Sequence, residues 1–202
     1  IASVKENGQR DQTDLLISLE YSYETFPTFT AFTFEDEETD IFNQELRLVS
    51  KSEGPLSWIV GAFYNKNEYN ALSSEFTPGY GLFTGFGDQL NDLEYFEGDR
   101  TNLEEKAVFG EIAYEITENW DVTFGARFYE YEYETANLTE FPYFSGPEFR
   151  PFPLSEIEGQ LTLTPNQSFE DELFKVNTSY TFENGNLLYA TFSQGFRVGA
   201  SN

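Results

Sequence analysis

The chain has 202 residues, a formal net charge of −25 at pH 7, and no cysteine or histidine. It therefore has no disulfides, no thiolate chemistry, and neither the commonest general base nor the commonest zinc ligand. The balance of 36 acidic against 11 basic residues argues against nucleic-acid binding, which depends on clustered lysine and arginine.

Aromatic residues make up 18% of the chain, although its mean hydropathy is only −0.49. So many rings and charges together do not suit a globule with an apolar core and a polar shell. They suit β-strands that present one apolar face to lipid and one polar face to a hydrated lumen. No apolar run approaches the roughly 18 residues that a membrane-spanning helix requires.

The amino-terminal part is interpreted from the direction in which its strands must run. The short turn Ser52–Leu56 follows the alternating strand 41–52, so the strand before it should run the opposite way. The resulting assignments are a turn at Asn7–Thr13, a strand at Leu15–Glu24 and an external loop at about 25–40. This loop would contain the acidic run Glu35–Asp40, and whether Phe29–Phe34 adds a strand is left open.

Four segments show the period-two alternation of an amphipathic strand. In the last of them, Phe174, Val176 and Tyr180 share one face, whereas Lys175 and Asn177 share the other. The four predicted strands are 41–52, 103–117, 121–135 and 170–183.

Short and long connections alternate between the predicted strands. The short ones are Ser52–Leu56, Thr117–Trp120 and Glu183–Asn186, the last with an Asn-Gly pair typical of tight hairpins. The long ones cover about 73–102 and 136–169. Outer-membrane barrels have tight periplasmic turns and long extracellular loops. We therefore predict an all-β fold, an antiparallel meander of about seven long strands, with loops 25–40, 73–102 and 136–169 outside the cell.

Both tryptophans lie near predicted periplasmic turns. Trp58 directly follows one turn, and Trp120 lies in another. Tryptophan favours the lipid–water interface, where its ring is half buried and its N–H stays hydrated. We predict that both residues are membrane-interface anchors.

Three motifs on these hairpins resemble those of TonB-dependent receptors. Phe42–Leu48 with Gly54–Tyr64 is similar to the family's QELRL…W-x-VG-x-FY hairpin. Ala107–Glu111 with Trp120–Phe128 is similar to its FGE…GxRY hairpin, although Phe128 replaces the usual tyrosine, and Leu188–Arg197 is similar to its YAxxSxGFR strand. The matching positions are Gln44, Glu45, Leu46, Arg47, Gly110, Glu111, Gly125, Arg127, Gly195, Phe196 and Arg197.

The resemblance implies a 22-stranded barrel that surrounds a plug domain. Such receptors bind scarce nutrients at the cell surface, such as siderophore-iron, cobalamin or oligosaccharides, and import them with energy from the inner-membrane TonB complex. Residues 1–202 would then be a partial barrel, an open, curved sheet without the plug domain and the remaining strands. Its partners would be outer-membrane lipid and lipopolysaccharide, the TonB complex through the missing plug, and a small or oligomeric nutrient.

Two alternatives stay open at this point. One is a passive or structural outer-membrane barrel without a plug. The other is a secreted, carbohydrate-binding β-sandwich in which the apolar faces of two sheets pack against each other.

We predict no catalytic residues, no cofactor and no metal site. With 36 acidic residues, the proximity of two carboxylates says little about glycosidase chemistry. Residues 79–87 form a Gly-rich run, which we interpret as a flexible external loop. Five acids follow this run at a spacing that matches no EF-hand loop, and we interpret them as solvated loop residues. They are Asp88, Asp92, Glu94, Glu97 and Asp99.

Aromatic residues in the long loops are the candidates for ligand contact, because exposed rings lower solubility unless they pack or bind. They are Tyr80, Phe83, Phe86, Phe141, Tyr143 and Phe144. The alternative is that they pack among neighbouring loops or face lipopolysaccharide. The excess acid favours cationic ligands or divalent ions that bridge lipopolysaccharide, and the sequence does not choose between them.

Overall fold

The computed structural model describes residues 2–12, 32–51, 53–87, 90–145 and 149–195. Its strands are β1 (Ala2–Gln12), β2 (Phe32–Val49), β3 (Leu56–Phe76), β4 (Leu93–Thr117), β5 (Trp120–Glu140), β6 (Thr162–Leu163), β7 (Gln167–Thr181) and β8 (Leu187–Ser193). Two short helices, α1 (Tyr80–Thr84) and α2 (Pro142–Ser145), and two 3-10 segments, Leu90–Asp92 and Leu154–Glu156, lie in the connections. No described helix is long and apolar enough to cross a membrane.

All these strands form one antiparallel sheet. Its order is β1-β2-β3-β4-β5-β7-β8, and the two-residue β6 pairs with β5 beside the start of β7. Within the described residues, β1 and β8 are the two edges of the sheet. This confirms the predicted open meander of seven long strands, and it leaves no second sheet, among the residues placed by the structure, for the sandwich alternative.

The connections divide the sheet into two ends. At the end that we call the turn end, β2, β4 and β7 are joined to the next strand by tight turns, such as the one at Gly185 (φ +83°). At the opposite end, which we call the loop end, residues 77–92 and 141–166 make longer connections. The alternation of short and long connections therefore follows the prediction.

The amino-terminal prediction was wrong in two places. Asn7–Gln12 belongs to β1 rather than to a turn, and the acidic run Glu35–Asp40 lies within β2 rather than in a loop. Both stretches have a paired neighbour, as Asn7 opposite Glu38 illustrates, so ladder hydrogen bonds hold an extended backbone whose side chains are highly charged. The predicted strand Leu15–Glu24 lies outside the described residues, as do residues 29–31 of the optional strand, while Phe32–Phe34 starts β2.

The two other predicted loops are shorter than expected. Strands continue through Phe76 and resume at Leu93, and β5 continues to Glu140 before β7 begins at Gln167. In these stretches polar side chains point to both faces, so the apolar–polar alternation that reveals a strand disappears although the pairing continues.

Each strand of the sheet has two distinct faces. On β3, β4, β5 and β7 the even-numbered residues share one face, because the registers pair even with even across all three contacts. Near the turn end this even face is an exposed band of large apolar side chains. The band contains Leu46, Leu48, Trp58, Val60, Val108, Ile112, Tyr114, Phe124, Phe128, Phe174 and Phe192. At the same height the odd-numbered face carries charged side chains, such as Glu111 and Arg127, together with the rings of Phe63 and Phe109.

A small apolar core lies at the loop end of the even face. Segment 149–161 folds back over β3 and β4, where Leu154 and Ile157 join Leu72, Leu93 and Phe96. Gly98 provides space for this contact, since a Cβ atom there would lie 2.8 Å from Leu161 Cδ2. Segment 149–161 of the connection between β5 and β7 therefore packs on the strands and does not extend into solvent.

We predict that Leu154→Ala opens segment 149–161 without unfolding the sheet. Removing a buried leucine costs about 2–5 kcal/mol, and this core is local to the connection. Hydrogen–deuterium exchange should speed up in 149–161 and stay unchanged in β4 and β5. Leu163→Ala, which alters a leucine that is 64% exposed, is the matched control and should change neither. Global unfolding of the Leu154 variant would contradict the prediction.

Candidate functional site

The strands are longer than a membrane crossing requires. A tilted transmembrane strand needs about 9–11 residues, whereas β3 and β5 have 21 residues each and β4 has 25. The apolar band on β4 runs from Val108 to Ile116, which matches one crossing. The rest of β4, from Leu93 to Ala107, therefore extends beyond the band toward the loop end.

Beyond the band, β5 separates tyrosine from glutamate. Tyr129 and Tyr131 lie on the odd face, whereas Glu130 and Glu132 lie on the even face. Carboxylates on the odd face accept hydrogen bonds from tyrosine hydroxyls, with Tyr69 donating to Glu37 (3.3 Å) and Tyr95 donating to Glu97 (2.6 Å). We call this tyrosine- and carboxylate-bearing part of the odd face the tyrosine wall. Sequence reasoning missed it, although the alternation Tyr-Glu-Tyr-Glu-Tyr in 129–133 was a visible signal.

Neighbouring carboxylates surround the ionisable groups at the loop end of the tyrosine wall. Burial and the neighbouring Glu37 raise the pKa of Tyr69. Burial and the neighbouring Glu97 also raise the pKa of Asp99. Tyr69 and Asp99 are therefore harder to ionise than usual, first because they are partly buried and second because a carboxylate lies beside each of them.

Near the band, the odd face holds its charges in cross-strand rows. Lys175 Nζ lies 2.7 Å from Glu111 Oε1, and Gly125 lies between them in the same row, because it is paired with both residues. A Cβ atom at Gly125 would lie 3.3 Å from Glu111 Cγ. The missing side chain of Gly125 thus lets an ion pair span three strands.

A second row contains another glycine. Arg47 reaches over Gly61, with its guanidinium carbon 5.7 Å from the centroid of Phe109. In the same row Arg127 forms an ion pair with Glu105 and lies 5.4 Å from the centroid of Phe63. Among the motif positions, Glu111 and Gly125 lie in the first row and Arg127 lies in the second. Gly110 is the neighbour of Glu111 in the chain.

The remaining motif positions on β2 lie outside these two rows. Gln44 and Leu46 lie on the even face of β2, and Glu45 pairs with Arg47 on the odd face. Gly195 is the last described residue, while Phe196 and Arg197 lie outside the described residues.

Trp58 and Trp120 both lie at the turn end, beside the short turns, and the structure places both on the even face. Both rings are partly exposed, and Trp120 Nε1 donates to Thr178 Oγ1 (2.8 Å). Their role as interface anchors stays a prediction.

Asp92 connects the two loops at the loop end. It accepts hydrogen bonds from the backbone N–H groups of Gly79 (2.6 Å) and Gly81 (3.1 Å), and from the hydroxyl of Tyr143 (2.7 Å). It ends a left-handed turn, Leu90–Asp92, in which all three residues have positive φ. Asp92 is buried, as is Glu94, so our interpretation of these two acids as solvated was wrong. Burial here is possible because loop backbone and hydroxyl donors replace water.

The acids near the start of β4 also raise the question of a metal site. Among the residues that the structure describes, no group of three or more acidic side chains is placed to hold a metal ion. Asp88 lies outside the described residues.

The candidate aromatic residues fall into three sets. Tyr143 is 7% exposed and is central to a cluster, with its ring 5.8 Å from that of Tyr80 and 5.4 Å from that of Phe86. Phe144 joins the cluster through Phe86 (5.5 Å) and is 76% exposed. Phe141 packs on Tyr95 of the odd face (5.5 Å), and Phe83 is exposed on α1. We call the exposed rings of Phe83, Phe86, Phe141 and Phe144 the rim aromatics.

The comparisons with known proteins agree with this geometry. A family model described as TonB dependent receptor-like, beta-barrel, matches residues 6–202. The chain belongs to this family. Its fold is similar to that in the crystal structure of the ferric yersiniabactin uptake receptor FyuA from Yersinia pestis, with a TM-score of 0.57 and 13% sequence identity. That match covers 81% of this chain and 22% of the other, and no curated protein gives a significant match.

Membership in the family assigns the surfaces of the sheet. The chain is part of an outer-membrane β-barrel of the TonB-dependent receptor family. The apolar band on the even face is its lipid-facing surface, and the odd face is its inner surface. Since the short turns of such barrels are periplasmic, the extracellular position that the sequence predicted for the long loops would apply to the loop end and the rim aromatics, and it stays a prediction.

We predict that Gly61→Ala destabilises the barrel. The new Cβ atom would lie 2.8 Å from the backbone oxygen of Leu46 and would overlap the Phe109 ring. Such overpacking typically costs about 1–3 kcal/mol, measurable as a lower midpoint of denaturant unfolding. At Gly195 a Cβ atom meets nothing within 4 Å, so Gly195→Ala is the control and should leave the midpoint unchanged. Equal midpoints for the two variants would contradict the conclusion that the packing around Gly61 has no space for a side chain.

Proposed function

We propose that this chain forms part of the barrel wall of a receptor that actively imports a scarce nutrient, of the siderophore-iron, cobalamin or oligosaccharide class. The observation that carries the proposal is the division of a family-matched sheet into a lipid-facing band and a polar inner face that continues beyond the membrane to aromatic loops. A polar inner wall with charge pairs suits a barrel that encloses a polar partner such as a plug domain.

The rim aromatics are proposed as the ligand contacts of this segment. They combine exposed rings with fixed positions, because Phe86 and Phe144 pack on each other and Phe141 packs on Tyr95. Rings that are already ordered lose little conformational freedom when a ligand binds. Tyr143, in contrast, is buried and donates to Asp92, so its proposed role is to hold the loops together.

Energy coupling is proposed to come from the TonB complex through a plug domain. This chain spans 22% of the length of the receptor with a similar fold, so ligand, plug and TonB contacts of a whole receptor are proposals here. Lipid and lipopolysaccharide are the proposed partners of the even face. Its charged residues, such as Glu130 and Glu132, lie between the apolar band and the loop end.

The import proposal predicts TonB-dependent accumulation. The complete receptor would be produced in a bacterium with and without functional TonB, and cells would be offered radiolabelled ferric siderophores, cyanocobalamin and maltodextrins separately. We expect one class to accumulate only in cells with TonB. Uptake of every class at the same rate without TonB would support a passive barrel and overturn the proposal.

The rim aromatics predict a second result in the same cells. Phe144→Ala should weaken binding of the imported ligand about tenfold, which is about 1.4 kcal/mol, because an exposed stacking surface is lost. Phe182→Ala removes the same side chain at the turn end, where an extracellular ligand does not reach, and serves as the control. Binding is compared at equal amounts of receptor in the outer membrane. Unchanged affinity for the Phe144 variant would remove this residue from the site.

A further inference from the structure

Glu94 is a buried carboxyl group with an incomplete set of hydrogen bonds. It lies at the start of β4 and is only 4% exposed. Its Oε1 atom accepts a hydrogen bond from the Thr77 hydroxyl (2.8 Å), while its Oε2 atom has no partner among the described residues. A buried carboxylate oxygen without a donor is costly, whereas a protonated carboxyl group is much less so.

A second acid lies close to Glu94. Glu75, near the end of β3, is 8% exposed, and it lies on the strand that pairs with β4 beside an irregularity in the register. Burial and, to a smaller extent, the neighbouring Glu75 raise the pKa of Glu94 to about 7, although the hydrogen bond from the Thr77 hydroxyl acts in the opposite direction. Other titratable groups at this point are Asp92, which is held by three donors, Tyr143 on α2, and Tyr95, which lies opposite Glu75 in the register.

The position of Glu94 connects it to the loop segment 77–87. Thr77 is fully buried, donates its backbone N–H to the Asp92 carbonyl (3.0 Å), and accepts a hydrogen bond from the Tyr80 N–H (3.0 Å). The Thr77 side chain and backbone thus join Glu94 to the base of this segment and to the first residue of α1. A change at Glu94 acts directly on the segment that holds Tyr80 and Phe86.

We propose that Glu94, which lies near Glu75, is a proton-operated latch at the base of the loop segment 77–87: protonation closes this segment on β3 and β4, and ionisation releases it. Ionisation places a buried negative charge on Glu94, which favours hydration of the loop base. The latch needs no ligand, but its consequence for the rim aromatics, which would be ordered at lower pH and loosened at higher pH, rests on the proposed function.

The direction of the pH dependence follows from the raised pKa. In an open loop Glu94 ionises near its ordinary value of 4.5, whereas in the closed loop it ionises at about 7. The closed loop therefore binds more protons between these values, so its stability decreases as the pH rises through that range. Closure is strongest in acid and weakest above pH 7.

The experiment uses a spin label at position 82 of the complete receptor. Leu82 is exposed on α1, and this chain has no cysteine, so Leu82→Cys gives a single labelling site in it. Label mobility would be measured in detergent from pH 5 to pH 9. We expect a transition from slow to fast motion whose midpoint lies between the open-loop value of 4.5 and the closed-loop value of about 7.

Three variants give different shifts, and a fourth is the control. Glu94→Gln should abolish the transition and keep the label slow. Glu75→Gln should lower the midpoint because a like charge is lost, and Thr77→Val should raise it because the ionised form loses a donor. Glu132→Gln removes a charge from the even face of β5 and should leave the midpoint unchanged.

The outcomes separate the latch from the import proposal. Constant mobility across the pH range in the unmodified labelled receptor overturns the latch, as does a transition that survives Glu94→Gln. If Glu94→Gln fails to fold, the opposite shifts of Glu75→Gln and Thr77→Val decide, and shifts in the same direction overturn the latch. Label mobility is measured without ligand or TonB, so a failed uptake assay leaves this result unaffected.

Discussion

The rest of the structure depends on the need to pair every backbone polar group where lipid surrounds the protein. In hydrocarbon an unpaired N–H or C=O costs several kcal/mol, so a chain that crosses with strands must form a continuous ladder. Here the strands from β2 to β7 pair through most of the apolar band, as from Val108 opposite Ala62 to Ile112 opposite Trp58, and the β4–β5 register shifts at Ile116 near the turn end. Because side chains alternate along a paired strand, this ladder also separates a lipid face from an inner face. The amphipathic pattern of the sequence is a consequence of that single constraint.

Glycine positions then decide how the inner face is used. Gly61 and Gly125 lie in adjacent cross-strand rows, and each leaves space for a long side chain from a neighbouring strand. Arg47 reaches Phe109 across one of them, and Lys175 reaches Glu111 across the other. These contacts are half exposed, so their contribution to stability is small. Their effect is to fix the position of charge on a wall that faces the interior of the barrel.

The sequence was sufficient for the fold class and for the hairpins at the apolar band, but not for the parts of the sheet at the loop end. Strands such as β7 alternate clearly because one of their faces meets lipid. Beyond the band both faces of a strand are wet, so Glu35–Asp40 read as a loop although it is strand. The burial of Asp92 and Glu94 was also hidden, because it depends on donors from Gly79, Tyr143 and Thr77 that only the folded loops supply. The six aromatic residues of the long loops could be named as candidates from the sequence, but their division into buried and exposed rings required the structure.

The assignment of the two faces is tested most directly by labelling β4 in a lipid bilayer. Single cysteines at Val108, Phe109, Ile112 and Ala113 of the complete receptor would each carry a spin label, and collisions with oxygen, which is concentrated in lipid, would be measured. Labels at Val108 and Ile112 are expected to show high oxygen accessibility, and those at Phe109 and Ala113 low accessibility. Equal accessibility at all four positions, or the reverse order, would contradict a lipid-facing even face and an enclosed odd face.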